Sequence, residues 1–412
     1  MSARMGKRYV IIGNGIAGTT CAQELRKNDP ACEIWLITNE PYPLYNRVAL
    51  KRLLDGVLPE QKIMMRDLAW HESQRITLLR ETYVTHVDTA GQAVYLSQGG
   101  PLGYDALLVA SGGWPNALDV PGADGTSYLY TFMTLDDTKR IIERALESKT
   151  AVTTGGSYMA YDLTEGLSKR GVHVTWLMRG PFWLRRTLDA EGGRLVDEIV
   201  ARHGIEVVHG EEIREVVARD GVPRAVIATS GREYAGDLIG LGVGLTLNYA
   251  FLRETPVACG KGVLTDEYLE TTVPGVFAAG DVAEFYDPIL GARRTLGTWD
   301  NALAHGRVAA ANMAGGREAY LDVPTRSSPI FDTNIVAMGL FEVTDPAIEA
   351  VQRSAPGERG MTDYRRFFFR GDTLVGAVFL GSPKGRKKVV ELIRTGATYR
   401  TPAERQALFD VR

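Results

Sequence analysis

Short apolar runs that end in glycine recur along the chain and predict buried parallel strands. The first run, RYVII at Arg8–Ile12, leads directly into GNGIAG. Small and apolar residues then continue at helical spacing through TTCAQELRKND, and EIWLIT at residues 33–38 predicts the next strand. This order of strand, glycine turn, helix and strand is the beginning of a βαβ unit.

A second series of the same kind starts at Thr150. There TAVTT predicts a strand, GGSYMA a turn, YDLTEGLSKRG a helix and VHVTWLM the next strand. Between the two series, YDALLVASG at residues 104–112 predicts another buried strand, and Pro121 with Gly122 marks the expected crossing between domains. The sequence therefore predicts an α/β protein with two Rossmann-type dinucleotide-binding domains.

The second half of the chain contains two more predicted strands and then a segment of different character. The strands are DLIGLGVG at residues 237–244 and GVFAAGDVA at residues 275–283, the second followed by a helix through ALAHGRVAAANMAG. From about Tyr320, apolar runs on either side of residues 370–372 predict a hairpin, and KKVVELIRTG predicts a helix. We expect this tail to form a small α+β C-terminal domain.

The composition excludes several classes of protein. The 412 residues indicate two or three domains, and 45% hydrophobic with 24% charged residues is typical of a soluble protein. The net charge of −3 favours neither a nucleic acid nor an anionic membrane as a partner. No apolar run reaches the roughly 20 residues of a membrane span, and the basic N-terminus lacks a signal-peptide core. We expect a cytoplasmic protein, and a homo-oligomer is left open.

The cysteines and histidines offer little metal or thiol chemistry. Cys21, Cys32 and Cys259 are scattered, which argues against a disulfide framework and a structural zinc site. Cys21 lies in the predicted first helix and Cys32 beside the second strand, so neither supplies a thiolate nucleophile. The six histidines show no metal-ligand spacing, and we expect no metal site.

The stretch GNGIAG has the glycine spacing of a dinucleotide-binding turn. Gly13 permits the tight turn, Gly15 lets a pyrophosphate approach the backbone, and Gly18 lets the helix pack closely on the strand. The N–H groups at the start of the helix, around Ile16 and Ala17, then face the anion. The sequence therefore predicts a dinucleotide site in the first fifth of the chain.

Two carboxylates are candidates for holding other parts of such a ligand. We favour Glu40 as the acid that binds the adenosine ribose, although it lies 27 residues after Gly13, where the usual spacing is about 20. A solvated loop acid is the alternative interpretation of Glu40. Asp281 follows Gly280 at the end of a buried strand, where it can accept hydrogen bonds from ligand hydroxyls.

Four motifs together resemble those of the FAD-dependent pyridine-nucleotide reductases. They are GNGIAG, LLVASGGWP at residues 107–115, the second glycine-rich turn and GVFAAGDVA. That family includes the NAD(P)H-dependent ferredoxin and rubredoxin reductases and the FAD-binding part of nitrite reductases. EPYPLYNRVALKRLL at residues 40–54 is similar to EPxxPYDRPPLSK of the ferredoxin-reductase branch. The resemblance covers residues 7–318 well and the tail more loosely.

The resemblance implies a division into domains and a set of FAD-binding residues. We expect an FAD-binding domain of residues 1–120 and 237–318, an NAD(P)-binding-like domain of residues 121–236 and the C-terminal α+β domain of residues 319–412. By the same resemblance, Asp281 holds the ribityl hydroxyls of a non-covalently bound FAD. The other residues placed around FAD are Arg47, Arg52, Val84, Ala110, Ser111, Gly112, Gly280, Trp299, Asn301 and Ala302.

The family also implies chemistry at the flavin. It often has a Lys–Glu ion pair near flavin N5, and the matching positions here are Arg52 and Asp162, for which we predict an ion pair with a catalytic role. Trp299 would approach the isoalloxazine ring, with a core aromatic as the alternative. Residues 41–54 lack the one or two cysteines of disulfide reductases and NADH oxidases. The implied chemistry is hydride in from a nicotinamide, and electrons or hydride out.

The second glycine-rich turn departs from the family pattern. Its first glycine is Gly155, but Ser157 puts a Cβ where a pyrophosphate should approach. At the end of the following strand, Met178 and Arg179 stand where NAD-preferring members have a carboxylate. Arg179 could bind a 2′-phosphate, which slightly favours NADPH over NADH. The alternatives are a solvated basic loop and a site that no longer binds a nicotinamide.

The electron acceptor is expected outside this chain, because three scattered cysteines cannot ligate an iron–sulfur cluster. Our leading hypothesis is an NAD(P)H-dependent FAD oxidoreductase that passes electrons to a separate redox protein or a small acceptor. The alternative is an FAD-binding electron-transfer subunit with a degenerate nicotinamide site, fed by a partner protein. Basic residues of the tail could steer an acidic ferredoxin-like partner or form a solvated face. They are Arg365, Arg366, Arg370, Lys384, Arg386, Lys387 and Lys388.

Overall fold

The protein is described by a computed structural model, which covers residues 6–357 and 360–411. The helices, numbered in chain order, are α1 (Ile16–Asn28), α2 (Leu50–Leu54), α3 (Glu60–Ile63), α4 (Leu68–Ser73), α5 (Leu135–Ala145), α6 (Tyr158–Lys169), α7 (Ala190–Arg202), α8 (Trp299–Met313), α9 (Arg386–Arg394) and α10 (Pro402–Ala407). Short 3-10 helices occupy Arg47–Ala49, Ala250–Leu252, Gly280–Val282 and Leu408–Asp410.

The strands are likewise numbered in chain order. The first half of the chain contributes β1 (Arg8–Ile12), β2 (Glu33–Ile37), β3 (Ile76–Leu79), β4 (Val84–Asp88), β5 (Ala93–Leu96), β6 (Leu102–Gly103), β7 (Ala106–Val109), β8 (Gly113–Pro115), β9 (Leu129–Thr131), β10 (Thr150–Thr154), β11 (His173–Met178) and β12 (Glu206–His209). The second half contributes β13 (Ile213–Arg219), β14 (Val222–Ala228), β15 (Glu233–Ala235), β16 (Leu238–Leu241), β17 (Leu245–Leu247), β18 (Val263–Leu264), β19 (Val276–Ala278), β20 (Ala283–Asp287), β21 (Ala292–Thr295), β22 (Thr325–Ile330), β23 (Thr333–Gly339), β24 (Ile348–Pro356), β25 (Thr362–Arg370) and β26 (Thr373–Leu380).

The described residues divide into two compact units. The first unit comprises the described residues up to Asn46, then Met64–Trp114 and Leu247–Pro324. The second unit comprises Arg47–Ile63, Pro115–Thr246 and the described residues from Thr325 onward.

The first unit is built on a five-stranded parallel sheet with the order β19-β7-β1-β2-β3. All four residues of β7 are buried, which is why it reads as a continuous apolar run rather than an alternating one. Helices α1 and α8 pack against each other and against this sheet. A Cβ on Gly306 of α8 would collide with the Ala17 carbonyl of α1, so glycine is needed for this close helix approach.

The second unit contains two larger sheets. The parallel one has the order β12-β11-β10-β16-β9, and it contains the predicted strand, turn, helix and strand at Thr150. The other is an antiparallel sheet with the order β22-β23-β26-β25-β24, against which α9 packs. Its strands β25 and β26 form the predicted hairpin, and Gly371 in its turn has a φ of +57°. The predicted fold class is thereby confirmed.

Two local expectations about the chain path differ from the structure. The strand β16 was expected in the FAD-binding range 237–318, but it pairs with β10 in the second unit. An apolar run does not specify its partner strand, so its sheet could not be read from the sequence. The strands β20 and β21 also intervene between the Gly-Asp turn and α8, where only a helix was expected. The predicted domain ranges themselves stay a prediction.

In the part of the chain that the structure describes, no helix combines the length and the apolar character needed to cross a lipid bilayer.

Candidate dinucleotide sites

The first glycine turn joins β1 to α1 in the first unit. Gly13 has a φ of +113°, and a Cβ there would collide with the Ala110 carbonyl. A Cβ on Gly18 would collide with the Gly13 carbonyl. By contrast, a Cβ on Gly15 would have no neighbouring atom within 4 Å. Gly13 and Gly18 are therefore required by the fold, while Gly15 leaves open space beside the start of α1, as a pyrophosphate needs.

Glu40 lies beyond the carboxyl end of β2, in the region expected for a ribose-binding acid. Its Oε2 accepts a hydrogen bond from the Tyr45 hydroxyl at 2.6 Å, and its backbone N–H donates to Thr38 Oγ1 at 3.2 Å. These contacts fix the half-buried carboxylate rather than leaving it as a mobile loop acid. Val84, the residue expected beside adenine, is half-buried at the start of β4.

The segment after β7 is held by a neighbouring loop of the same unit. Ala110 is buried, and the Ser111 hydroxyl donates to the Asn248 carbonyl. The Gly112 carbonyl accepts from the Asn248 N–H at 2.9 Å, and a Cβ on Gly112 would meet no atom within 4 Å. Hydrogen bonds to Asn248 thus fix the backbone of this segment, and the space beside Gly112 is open.

Asp281 lies in the 3-10 turn after β19, where Gly280 has a φ of +74°. Its carboxylate lies beside Gly297, since a Cβ on that glycine would be 3.1 Å from Asp281 Oδ2. The Gly280 N–H donates to Nδ1 of His305 at 3.2 Å. The sequence interpretation missed both Gly297 and His305, because a lone glycine and a lone histidine give no motif signal.

The start of α8 presents one half-buried and two buried candidates. Thr298 caps the helix by accepting the Asn301 N–H at 3.3 Å, and Trp299 is half-buried. The Asn301 side chain is 1% exposed, and its Nδ2 donates to the Leu296 carbonyl at 3.0 Å while its Oδ1 accepts from the Tyr320 hydroxyl at 2.8 Å. The Asn301 amide is therefore committed to the protein interior, and Ala302 beside it is also buried.

The second glycine turn joins β10 to α6 in the second unit. A Cβ on Gly155, whose φ is +120°, would collide with the Gly242 carbonyl. Ser157 is the N-cap of α6: its Oγ accepts from the Ala160 N–H at 3.2 Å and donates to the Gly242 carbonyl at 3.0 Å. Its side chain thus satisfies a helix N–H that would otherwise be free to face a phosphate.

The end of β11 has the basic character expected from the sequence. Met178 is fully buried, whereas the Arg179 side chain is 72% exposed and pairs with Glu212 at 3.4 Å. This contact is an exposed ion pair, so it stabilises the fold by at most about 1 kcal/mol and can be exchanged for a ligand phosphate. Arg185 and Arg186 are also exposed.

The predicted Arg52–Asp162 ion pair is wrong. Instead, Lys51 Nζ lies 3.1 Å from Asp162 Oδ1 and 2.8 Å from Glu165 Oε2, while Arg52 is exposed and forms no ion pair with Asp162 among the described residues. Successive residues of a helix point about 100° apart, so only one of these two cations can face α6. Helical spacing is the signal in the sequence that separates the two positions, because Lys51 and Arg52 point to different sides of α2.

The Lys51 cluster is a buried group of charges within the second unit. Lys51 is 5% exposed and also donates to the Pro329 carbonyl at 2.9 Å. Burial raises the pKa of Asp162 above its ordinary value despite the Lys51 ammonium. Burial acts in the same direction on Glu165, but its contacts with Lys51 and Lys169 lower its pKa. The cluster joins α2, α6 and the β22–β23 turn.

Arg47, also expected at FAD, lies in the second unit at the start of the 3-10 helix Arg47–Ala49. Its guanidinium donates to the Met133 carbonyl at 2.8 Å, which orders this segment.

Comparisons with known proteins agree with the motifs. A family model described as pyridine nucleotide-disulphide oxidoreductase matches residues 7–306. The NAD(P)H nitrite reductase of Bacillus subtilis (strain 168) is 26% identical over 395 residues, which are 95% of this chain and 48% of that protein. The chain thus spans about half the length of this relative.

This chain matches a larger share of two further similar proteins. The ferredoxin–NAD(+) reductase component of the biphenyl dioxygenase system of Paraburkholderia xenovorans (strain LB400) is 30% identical over 331 residues, 80% of each chain. The crystal structure of a covalent putidaredoxin reductase–putidaredoxin complex shares the fold, with a TM-score of 0.89 and 23% identity over 98% of this chain and 95% of that one. The chain therefore belongs to the pyridine nucleotide-disulphide oxidoreductase family.

Proposed function

We propose that this protein is an FAD-dependent oxidoreductase that takes hydride from NAD(P)H and passes electrons to a separate redox protein or a small acceptor. Membership of the family implies the use of FAD and NAD(P)H. The observation that supports the proposal most directly is the first glycine turn, where Gly13 and Gly18 are demanded by the backbone and only Gly15 faces open space. A purely structural glycine turn does not need a glycine at the position of Gly15.

The first unit supplies the residues that would hold FAD. Backbone N–H groups at Ile16 and Ala17 would bind the pyrophosphate, Glu40 the adenosine ribose and Asp281 the ribityl hydroxyls. When bound, FAD accepts a hydride and gives up electrons singly or as a pair. The other residues assigned to this site are Val84, Ala110, Ser111, Gly112, Gly280, Trp299, Asn301 and Ala302, of which Asn301 would act through its backbone because its amide is already bonded.

No residue of the chain is suited to thiol–disulfide exchange, despite the family's name. Cys21 is buried, and burial raises its pKa, so its thiol stays protonated at neutral pH. Cys32 is also buried, and burial raises its pKa as well. Cys259 is exposed but has no second cysteine with which to form a redox pair. We therefore assign direct electron transfer without a redox-active disulfide.

For the nicotinamide donor, we propose NADPH over NADH. The end of β11 lacks a carboxylate for the 2′-hydroxyl, and the exposed Arg179 is placed to exchange Glu212 for a 2′-phosphate. Ser157 opposes tight binding because its Cβ stands where a pyrophosphate should approach the backbone.

That same observation at Ser157 favours the second candidate function, an FAD-binding electron-transfer subunit fed by a partner. Anaerobic mixing of the purified flavoprotein with NADPH and then with NADH separates the two functions, with flavin absorbance as the readout. Rapid bleaching by either nucleotide supports the reductase. No bleaching by both at millimolar concentration contradicts it and favours the subunit.

For the electron acceptor, we propose an acidic carrier of the ferredoxin or rubredoxin kind that docks on α9. Part of the predicted basic patch is structural, because Arg365 donates to the carbonyls of Phe409 and Val411 and Arg366 donates to that of Thr187. The cations that stay exposed around the start of α9 are Lys384, Arg386, Lys387 and Lys388.

A further inference from the structure

His305 is a buried titratable group that the proposed function does not use. It lies on α8 with no exposed surface, and its Nδ1 accepts the Gly280 N–H at 3.2 Å. A ring nitrogen that accepts a hydrogen bond carries no proton, so the neutral imidazole holds its proton on Nε2. Burial lowers the pKa of His305 to about 3, which keeps this neutral form throughout the physiological range.

Two aromatic rings fix the orientation of the His305 imidazole. Phe285 of β20 lies edge-to-face with it at a centroid distance of 4.6 Å and 83°, and Tyr320 does so at 4.5 Å and 89°. The Nε2 atom is buried and has no hydrogen-bond partner among the described residues. Rotation of the imidazole would disrupt both ring contacts and the Gly280 hydrogen bond.

Tyr320 connects this ring cluster to the segment before α8. Its hydroxyl donates to Asn301, whose amide in turn donates to the Leu296 carbonyl. The next residue, Gly297, is the one that lies against the Asp281 carboxylate. The cluster of His305, Tyr320 and Asn301 therefore holds the backbone on both sides of Asp281: the Gly280 N–H on one side and the 296–297 segment on the other.

We propose that His305 is a positioning residue of the FAD site, which fixes the Gly280–Asp281 turn so that the Asp281 carboxylate meets the ribityl hydroxyls. The inference rests on the proposed function and requires no contact between His305 and FAD. A carboxylate preset by its backbone does not have to be ordered when the ligand binds, and such ordering would weaken affinity. Removing the Nδ1 acceptor of His305 should therefore weaken FAD binding by more than the accompanying loss of fold stability explains.

The test compares FAD binding by apoproteins of the full chain, measured from the change in FAD fluorescence, with thermal unfolding of the same samples. His305→Phe keeps the ring contacts but removes the acceptor, and we expect its FAD dissociation constant to rise about tenfold, or about 1.4 kcal/mol. His305→Gln offers a carbonyl acceptor and should recover most of the affinity. Tyr320→Phe removes the hydroxyl that holds Asn301 and should raise the dissociation constant about threefold.

The chain offers a matched control in His71, another buried histidine of the first unit. It is 2% exposed, and its Nδ1 lies 2.8 Å from the carbonyl of Asp67, the N-cap of α4. Helix α4 contacts β3, at the opposite edge of the sheet from β19, which leads into the Asp281 turn. His71→Phe should lower the unfolding temperature but leave the FAD dissociation constant unchanged.

Three outcomes decide the matter. An FAD affinity of His305→Phe within twofold of the wild type overturns the inference. If His305→Phe, His305→Gln and His71→Phe all lose FAD affinity in proportion to the fall in their unfolding temperatures, His305 is only a packing residue. That result also overturns the inference. Wild-type apoprotein that takes up no FAD contradicts the proposed function itself, so the two failures are distinguishable.

Discussion

Gly13 and Gly15 have different physical tasks, although both belong to one motif. A side chain at Gly13 would strike the Ala110 carbonyl, whereas one at Gly15 would enter open space. Gly15 also has ordinary extended dihedrals, with a φ of −74°, so alanine is tolerated by the backbone there.

We therefore expect Gly15→Ala to keep the unfolding temperature of the apoprotein but to raise the FAD dissociation constant at least about tenfold, or about 1.4 kcal/mol. The control Gly13→Ala should destabilise the fold even without FAD. Calorimetry of the apoproteins and FAD titration give the two readouts. Unchanged FAD affinity in Gly15→Ala would show that no pyrophosphate lies there.

Two substitutions at Ser157 separate the effect of its hydroxyl, which caps α6, from the effect of its Cβ. Ser157→Ala loses the cap but keeps the Cβ, which should cost about 1 kcal/mol of unfolding free energy without improving NAD(P)H binding. Ser157→Gly removes the Cβ as well and should lower the KM for NAD(P)H. Steady-state kinetics measure the KM for NAD(P)H, and urea unfolding measures the unfolding free energy. If the KM falls equally in the two variants, the hydroxyl rather than the Cβ obstructs the nucleotide.

At the scale of elements, Lys51 places a buried cation in the contact of α2 with α6. Lys51→Met would remove the ammonium that pairs with Asp162 and with the buried Glu165, leaving Glu165 with Lys169 alone, and we expect a loss of about 3 kcal/mol in unfolding free energy. The adjacent control Arg52→Met alters an exposed side chain and should change it by less than about 0.5 kcal/mol. Comparable effects of the two changes on urea unfolding would contradict the packing described for α2.

Elements with strong local signals were predictable from the sequence, and their pairings were not. The bounds of β1 and the helical character of α9 follow from apolar periodicity and glycine turns. The sheet to which β16 belongs depends on contacts with distant β10, which no local pattern encodes. Lys51 and His305 were missed for a similar reason, because their importance comes from what packs around them rather than from a motif.

At the scale of the whole molecule, electron transfer to a carrier should depend on charge at α9. Reversing Arg386, Lys387 and Lys388 to Glu should raise the KM for an acidic iron–sulfur acceptor about tenfold at low salt. The difference should shrink at high ionic strength, because the contacts are exposed and screened. Flavin reduction by NAD(P)H should not change. Arg219→Glu, an exposed change at the end of β13, serves as the control.

A KM that stays the same in the α9 variant at every salt concentration would place the carrier elsewhere. It would leave the assignment of the flavin and its hydride donor untouched, since those depend on the two glycine turns.

The most direct test of the central claim is the absorbance spectrum of the purified chain, before and after incubation with FAD and again after denaturation. We predict a flavin spectrum that follows the protein through gel filtration and passes wholly into the supernatant when the protein is precipitated by acid, as for non-covalently held FAD. A colourless protein that takes up no FAD, even when refolded in its presence, would contradict the account.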